Sequence, residues 1–348
     1  MDNKEVYNPN KLFHFKDKLL SISKREIVSP VNLQVDLTNR CNNKCSWCFY
    51  DIHNLPEFSR EQSLPKDVAL NLPSDFKSIG GKSIEWTGGG EPLVYVHFVD
   101  VVQKTRELGI NQALVTNGKN LSGERLNAVT DFDWVRVSLN SATQKMYEIQ
   151  HGNDSFYKVV EHIEKFANKK SDKCVLGVSM IVDDRNFHQI AKMVGYAKRM
   201  GADNARISIP QTPKDGKLFE GIWHLVEEQM KYAKEYEDEN FAVFTNANRL
   251  DTLNHKTKSK RCYYHHITPS IGANGFVYPC CHFKYLPEFN LGNINDMKLS
   301  EIWSGEKRKK FIETIGENCE TSCWMNGKNT LSDYIIKEPE KVPHLNYP

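Results

Sequence analysis

The stretch Arg40–Tyr50 reads RCNNKCSWCFY and holds Cys41, Cys45 and Cys48 in a C-x3-C-x2-C run. Three thiolates on one short loop can converge on a single metal centre, and soft sulfur selects an iron–sulfur cluster, zinc or cuprous copper. A structural zinc wants four closed ligands, and the nearby sequence offers only His53 as a fourth. Three cysteines on a cubane of four irons leave one iron open to a substrate, so the iron–sulfur reading is also a catalytic one. A second group lies further on: Cys262, twelve residues, Gly275, four residues, Cys280, and after a gap Cys319 and Cys323. Four cysteines gathered by a small fold can close a metal centre completely, as a structural zinc or a fully ligated iron–sulfur centre does. Eight of the nine cysteines fall in these two regions, among them Cys281 beside Cys280, and Cys174 stands apart. The odd total argues against a disulfide framework and for metal or redox chemistry in a reducing compartment.

The first cysteine loop follows VNLQVDLT (Val31–Thr38), a strictly alternating stretch that reads as a strand. Further strands are expected at 83–87, 112–116, 134–140, 174–182 and 204–209, with helix-period stretches at 95–108, 122–129, 156–168, 187–200 and 218–236. Strand then helix, repeated about six times, predicts parallel βαβ units. Several strands are apolar on one side only: Leu33 and Val35 alternate with Gln34 and Asp36, Val135 and Val137 with Arg136 and Ser138, Ala205 and Ile207 with Arg206 and Ser208. A sheet between two helical layers would be apolar on both faces, and a closed eight-stranded barrel is packed with branched apolar side chains. The pattern therefore predicts a curved sheet with helices outside and a polar, accessible inner face; edge strands facing water are the competing reading.

With 348 residues and 39% hydrophobic content, the chain is long enough for a sizeable core, and its mean hydropathy of −0.57 is that of a well-solvated surface. A net charge of +2 is too balanced for a general phosphate-backbone binder, although Lys256–Arg261 forms a local basic stripe, so nucleic acid is not the expected partner. No segment approaches the roughly 18 uncharged apolar residues of a membrane span, and no secretory signal opens the chain; the expected location is the cytoplasm. From about Lys256 periodic patterning gives way to Cys, His, Gly and Pro, and the last residues, with Pro339, Pro343 and Pro348, read as an extended tail.

The C-x3-C-x2-C run, with Trp47 before its last cysteine and its place after the first strand of a βα repeat, resembles the radical S-adenosylmethionine superfamily. TGGGEPL (87–93) ends the second strand as that family's glycine–glycine–glutamate motif does, and TNG (116–118) ends the third. The C-x12-G-x4-C run, with FVYPCC (276–281), LGNIND (291–296) and LSEIWS (299–304), resembles the family's SPASM/twitch auxiliary-cluster domain. The resemblance implies an α/β fold: a partial (β/α)6 TIM-like barrel of parallel strands with a small cysteine-rich C-terminal domain. The matching division is an arm at 1–30, the barrel at 31–240, the auxiliary-cluster domain at 255–328 and a tail at 329–348.

The same resemblance implies the cofactors. A [4Fe–4S] cluster with an open iron would sit on Cys41, Cys45 and Cys48, and S-adenosyl-L-methionine would chelate that iron through its methionine amino and carboxylate groups. Gly89, Gly90 and Glu91 would meet the methionine ammonium, where glycine lets the backbone come close and a carboxylate offers the opposite charge. Trp47, Thr116 and Asn117 belong to the same implied site. Ser138 and Asn140 match positions that hold the ribose or the methionine carboxylate, although many relatives carry Asp where Asn140 stands. Ser179 and Arg206, with Arg136, would line the same lumen, unless the arginines pair internally with Asp36 or Glu85. One auxiliary [4Fe–4S] cluster would take Cys262, Cys280, Cys319 and Cys323, because five cysteines are too few for the two clusters of a full SPASM domain. The closing C-x3-C departs from the usual C-x2-C, Cys281 is spare, His265, His266 and His282 read as solvated or packed around the centre, and zinc is the alternative metal.

The implied activity is reductive cleavage of S-adenosylmethionine to a 5′-deoxyadenosyl radical that takes a hydrogen atom from a polar substrate. An auxiliary cluster offers an electron acceptor, so dehydrogenation by an oxidoreductase is the leading expectation, with Asp36, Glu85 or Asp183 as candidate bases. Cys174 reads as a small buried hydrophobe, or as a hydrogen-atom donor of the kind epimerising relatives use. The expected partners are a polar small molecule, such as a sugar, an aminocyclitol or a nucleotide-linked metabolite, and an electron donor such as flavodoxin or ferredoxin. Peptide maturation or epimerisation is the alternative, and the first 30 residues show no additional peptide-recognition domain. A reading of another class is a non-catalytic iron–sulfur or zinc protein that carries electrons or binds a partner.

Overall fold

The computed structural model describes residues 8–210, 217–245, 261–314, 323 and 325–341. Seven strands run parallel in sequence order: β1 (Asn32–Asp36), β2 (Ser83–Thr87), β3 (Asn111–Thr116), β4 (Trp134–Ser138), β5 (Val175–Ile181), β6 (Asn204–Ser208) and β7 (Ala242–Thr245). Sequential parallel pairing through helical crossovers brings every strand's C-terminal end to one rim, where loops gather side chains from strands far apart in sequence. Asp36 pairs with Thr87, Ser138 with Ser179, and Ser179 with Arg206, which sets the inner-face rows in register.

The outward residues Leu33, Val35, Trp86, Val135, Val137 and Val178 are fully buried against the helices, while Gln34, Arg136, Ser138 and Arg206 face the lumen. Among the described residues the sheet stays open between β7 and its other edge, Gly292–Asn293, so the fold is α/β, a partial barrel with the expected polar interior. Among the described residues, no helix is long and apolar enough to cross a membrane.

Three elements go beyond the sequence expectation. The helix Lys66–Ser78 carries Pro73 in its interior, which hides the helical pattern, yet Ala69, Leu72, Pro73 and Phe76 form its buried stripe. The short helix Gln144–His151 and the four-residue β7 are too brief to announce themselves by periodicity.

The cysteine-rich region is also joined to the barrel more closely than its change of texture implies. β8 (Ser270–Ile271) pairs parallel with β1, β9 (Phe276–Tyr278) pairs antiparallel with β8, and β10 (Gly292–Asn293) with β9, so the main sheet continues through it. The stretch expected to be an extended tail begins instead with a helix, Asn326–Ile335. Leu331 and Ile335 of this helix pack with Leu12, Leu19, Ile22 and Tyr263 into a second apolar cluster that ties the N-terminal arm to the C-terminal region.

Candidate functional site

Beyond β1 the chain crosses the rim as an irregular loop carrying Cys41, Cys45 and Cys48. It is clamped to the end of the helix Gln144–His151: the Lys44 amide donates to the His151 carbonyl at 3.0 Å and the Ser46 amide to that of Gln150 at 3.1 Å. The three thiols line one cavity of about 210 Å3. Asn43 N–H donates to Cys41 Sγ at 3.4 Å, Arg60 Nη2 donates to Cys48 Sγ at 3.1 Å, and His151 Nδ1 lies 3.3 Å from Cys45 Sγ. Burial pushes the Cys41 and Cys45 thiols up, and for Cys45 the neighbouring thiols Cys41 and Cys48 add to the effect. Anionic sulfurs gathered in this way call for compensating positive charge. Among the described residues no three His, Cys, Asp or Glu side chains converge on a single ion position. A cubane asks for something else, one thiolate on each of three irons around a shared cavity, and the donor set fits that demand.

The glycine segment forms the opposite wall. A Cβ on Gly89 would come within 2.2 Å of Asn39 Oδ1, and one on Gly90 within 2.2 Å of the Arg40 carbonyl, so glycine is needed for this loop to lie against the one after β1. Glu91 is 2% exposed, and its carboxylate accepts from Leu93 N at 3.0 Å, Thr116 Oγ1 at 2.6 Å and Asn117 N at 2.7 Å. Burial raises its pKa while those hydrogen bonds oppose the rise. Glu91 therefore ties the end of β2 to the end of β3, and three of its acceptor positions are already taken. Asn117 donates to Asn42 Oδ1 at 2.7 Å and lies 4.0 Å from Cys41 Sγ. Trp47 sits edge-on to His151 with ring centroids 6.0 Å apart, and among the described residues its buried Nε1 has no hydrogen-bond partner.

A second cavity, of about 330 Å3, adjoins the first and shares Trp47, Phe49, Tyr50, Thr87, Val115 and Ser138 with it. Arg136, Ser179 and Arg206 from the strands line it, and Cys281, His282 and Lys284 close it from the cysteine-rich region. Ser179 and Arg206 thus belong to this outer cavity and not to the one beside the three thiols. Burial pushes the Cys281 thiol up to about 11, against the opposing pull of Lys284.

Several sequence candidates are committed elsewhere. Asp36 is fully buried, with Lys284 Nζ 2.8 Å from both its oxygens and Tyr285 Oη at 2.9 Å, so it is half of an ion pair and not a free base. Glu85 accepts from Gln34 Nε2 at 3.1 Å, and Asp183 accepts from Gln150 Nε2 at 3.0 Å and from Arg185. Neither Glu85 nor Asp183 lines the cavity. The Asn140 side chain, 0% exposed, accepts from Ile181 N at 2.7 Å and lies 3.2 Å from His151 Nε2, which keeps it out of both cavities. Cys174 precedes β5 at its N-terminal end, about 20 Å of extended chain from the rim, and so cannot donate a hydrogen atom there. Arg60, His151 and Lys284 are the residues that sequence reasoning missed: Arg60 carries no motif, His151 is marked only by the Gly152 that ends its helix, and Lys284 lies three residues past Cys281.

In the second cysteine group, burial and the neighbouring Cys281, Cys262 and Cys323 push the Cys280 thiol well up, which places Cys262, Cys280 and Cys323 within electrostatic reach of one another. Cys319 and most of the Lys256–Arg261 stripe lie outside the described residues. His265 and His266 are 2% and 3% exposed, hence not solvated, and their Nδ1 atoms stand 2.9 and 3.2 Å from the guanidinium of fully buried Arg308. Burial lowers the Arg308 pKa to about 9, with Cys262 opposing. Arg308 also stacks 4.3 Å above the Trp303 ring.

Comparison with known families matches residues 35–197 to the Radical SAM superfamily and residues 262–324 to SPASM, an iron-sulfur cluster-binding domain. Among curated proteins the chain is similar to the tungsten-containing aldehyde ferredoxin oxidoreductase cofactor-modifying protein of Pyrococcus furiosus, 23% identical over 80% of this chain and 82% of that one. It is also similar to the PqqA peptide cyclase of Methylocella silvestris, 22% identical over 80% and 75%. Among solved structures, Streptococcus suis SuiB bound to precursor peptide SuiA superposes with a TM-score of 0.64 at 16% identity, covering 89% of this chain and 73% of that one. The protein anSMEcpe with bound AdoMet gives 0.61 at 19%, covering 82% and 80%. These likenesses agree with the fold, and the family matches bring S-adenosylmethionine, a [4Fe–4S] cluster and auxiliary iron–sulfur as cofactors. The chain belongs to the radical S-adenosylmethionine superfamily and carries a SPASM domain in its C-terminal region.

Proposed function

We propose that this protein is a radical S-adenosylmethionine oxidoreductase that holds its catalytic cluster on Cys41, Cys45 and Cys48 and oxidises a polar substrate in the adjoining 330 Å3 cavity. When bound, the cluster and S-adenosylmethionine supply a 5′-deoxyadenosyl radical able to take a hydrogen atom from an unactivated carbon. The chain's own residues position the parts. Gly89 and Gly90 bring backbone close to the methionine end, Thr116 and Asn117 are held there by Glu91, and Ser138 stands at the boundary between the two cavities. Trp47 and Tyr50, shared by both cavities, shield the reacting region from water. Cys262, Cys280, Cys319 and Cys323 are assigned to the auxiliary centre. Cys281, next in sequence to Cys280, lines the substrate cavity, so a cluster held by those cysteines would offer an electron acceptor beside the substrate.

The carrying observation is the pair of adjoining cavities at one rim, one walled by three thiols and the other by polar strand residues. A second reading, modification of a peptide, is favoured by the relatives: PqqA peptide cyclase acts on a peptide and SuiB was solved with its precursor peptide. Anaerobic reconstitution followed by chromatographic assay of 5′-deoxyadenosine under reducing conditions tests the proposal. Formation that disappears in Cys48→Ala, and accelerates with polar metabolites but not with peptides, is the expected result. Acceleration by peptides alone would transfer the site to the second reading, and no cleavage with an intact cluster would overturn both. Iron analysis gives about eight irons per chain for two cubanes and about four for one.

A further inference from the structure

We infer that the substrate cavity is built to hold an anion, a carboxylate or a phosphate, on the guanidinium of Arg136. This rests on the reading of the cavity as the substrate site and extends it to a chemical class. Arg136 lies on the inner face of β4, one inward row below Ser138, with Gly177 of β5 beside it in register. Gly177 carries no side chain of its own, and the place its Cβ would take is filled by Asn204 Oδ1, 2.8 Å away, so the neighbour across β5 is a neutral amide and not a carboxylate.

Among the described residues the half-buried guanidinium makes no hydrogen bond and no ion pair, and its one aromatic neighbour is Trp134, 5.3 Å from the ring centre. The carboxylates on the inner faces of β1 and β2 are used otherwise: Asp36 neutralises Lys284, and Glu85 accepts from Gln34. The described lining of the cavity contains no Asp or Glu, and it carries a second guanidinium, Arg206, one row nearer the rim across β5.

Withdrawing an arginine from bulk water without a counter-ion is costly, and a planar fork of donors matches a carboxylate or phosphate bidentately. Ser138, Ser179 and Ser208 add hydroxyl donors around the same space. The volume of about 330 Å3 suits a small molecule or a single side chain of a larger one.

The experiment titrates the anaerobically reconstituted holoprotein, saturated with S-adenosylmethionine, with inorganic phosphate and separately with glutarate by calorimetry. Wild type, Arg136→Gln and Arg136→Lys are compared. The inference expects at least one probe to bind wild type, a loss of tenfold or more in Arg136→Gln, equal to about 1.4 kcal/mol, and partial recovery in Arg136→Lys. Phosphate as the stronger probe assigns a phosphorylated substrate, and glutarate a carboxylate-bearing one. Binding of neither probe to wild type overturns the inference. So does undiminished probe binding in Arg136→Gln, or a loss in that variant confined to S-adenosylmethionine affinity, since the arginine would then serve the nucleotide. Reductive cleavage of S-adenosylmethionine is assayed in the same wild-type preparation: cleavage without probe binding refutes the anion site alone, whereas probe binding without cleavage refutes the radical reading and leaves the anion site standing.

Discussion

The Asp36–Lys284 pair joins the first barrel strand to the cysteine-rich region, and its removal is expected to be costly in a distinctive way. The two side chains are 0% and 4% exposed, and the ammonium lies 2.8 Å from each carboxylate oxygen. Burial disfavours the charge on Lys284, yet Asp36, by attraction and hydrogen bond, together with Tyr285 and Cys281 outweighs it and the pKa rises. Asp36→Asn leaves a buried ammonium without its counter-ion, a change that costs about 3–5 kcal/mol, whereas replacing both charges by neutral groups of similar volume is often close to neutral. Asp36→Asn and Lys284→Met should therefore each be strongly destabilising. The double variant should lie within about 2 kcal/mol of wild type, a coupling well above the few tenths expected of independent sites. Urea denaturation of the anaerobic holoprotein reads this directly. At a slope of about 3 kcal/mol per molar, each single variant loses roughly 1 M or more of midpoint and the double variant recovers most of it. Additive losses in the double variant would refute the reasoning, because they would mean that the two charges do not compensate one another.

Gly90→Ala forces a Cβ to within 2.2 Å of the Arg40 carbonyl, so a loss of about 1–3 kcal/mol and weaker S-adenosylmethionine binding are expected, with iron content unchanged; unaltered nucleotide binding by equilibrium dialysis would contradict the close-approach argument. Arg60→Gln removes a cationic hydrogen bond to Cys48 Sγ and should lower the reduction potential of the first cluster, and an unchanged potential in a titration monitored by electron paramagnetic resonance would count against it. Cys174→Ala, at a buried position away from the rim, should cost about 1 kcal/mol and leave the product pattern intact; a changed stereochemical outcome would restore it as a donor. Burial first, then for His265 the neighbouring His266, and for both the Arg308 guanidinium, holds His265 and His266 well below the usual histidine range. Both are neutral in the fold, so their contribution is present above about pH 6.5 and is lost as pH falls below it. The denaturation midpoint should drop on acidification below that value, with a shallower fall in the His265→Asn, His266→Asn double variant, and identical pH profiles would refute it.

Much of the fold was legible because one physical rule governs it. Alternation of Leu33 and Val35 with Gln34 and Asp36, repeated around Arg136 and Arg206, marks strands with one face on helices and the other on an open lumen, and the structure places those residues so. The helix with Pro73 at its centre escaped because proline argues against a helix interior, while the buried stripe that outweighs it shows only once the partner surface exists. The cysteine spacings and the TGGGEP segment likewise pointed to the family from short-range order alone.

Side-chain partners were not legible. Asp36, Glu85 and Asp183 are alike in the chain as candidate bases, and only the return of the chain at Lys284, the register of β1 with β2, and the approach of the helix Gln144–His151 to Asp183 give each its partner. Cys174 stands before β5 at the end away from the rim and Cys281 in the turn that follows β9, which removes one from the rim and sets the other on the cavity wall. The sequence by itself determined the parallel α/β architecture, the polar lumen and the three-thiol loop, since these depend on periodicity and spacing over a few residues. Tertiary structure alone decided which charges are neutralised and which polar side chains line the lumen, because those outcomes depend on contacts between segments up to about 250 residues apart in the chain.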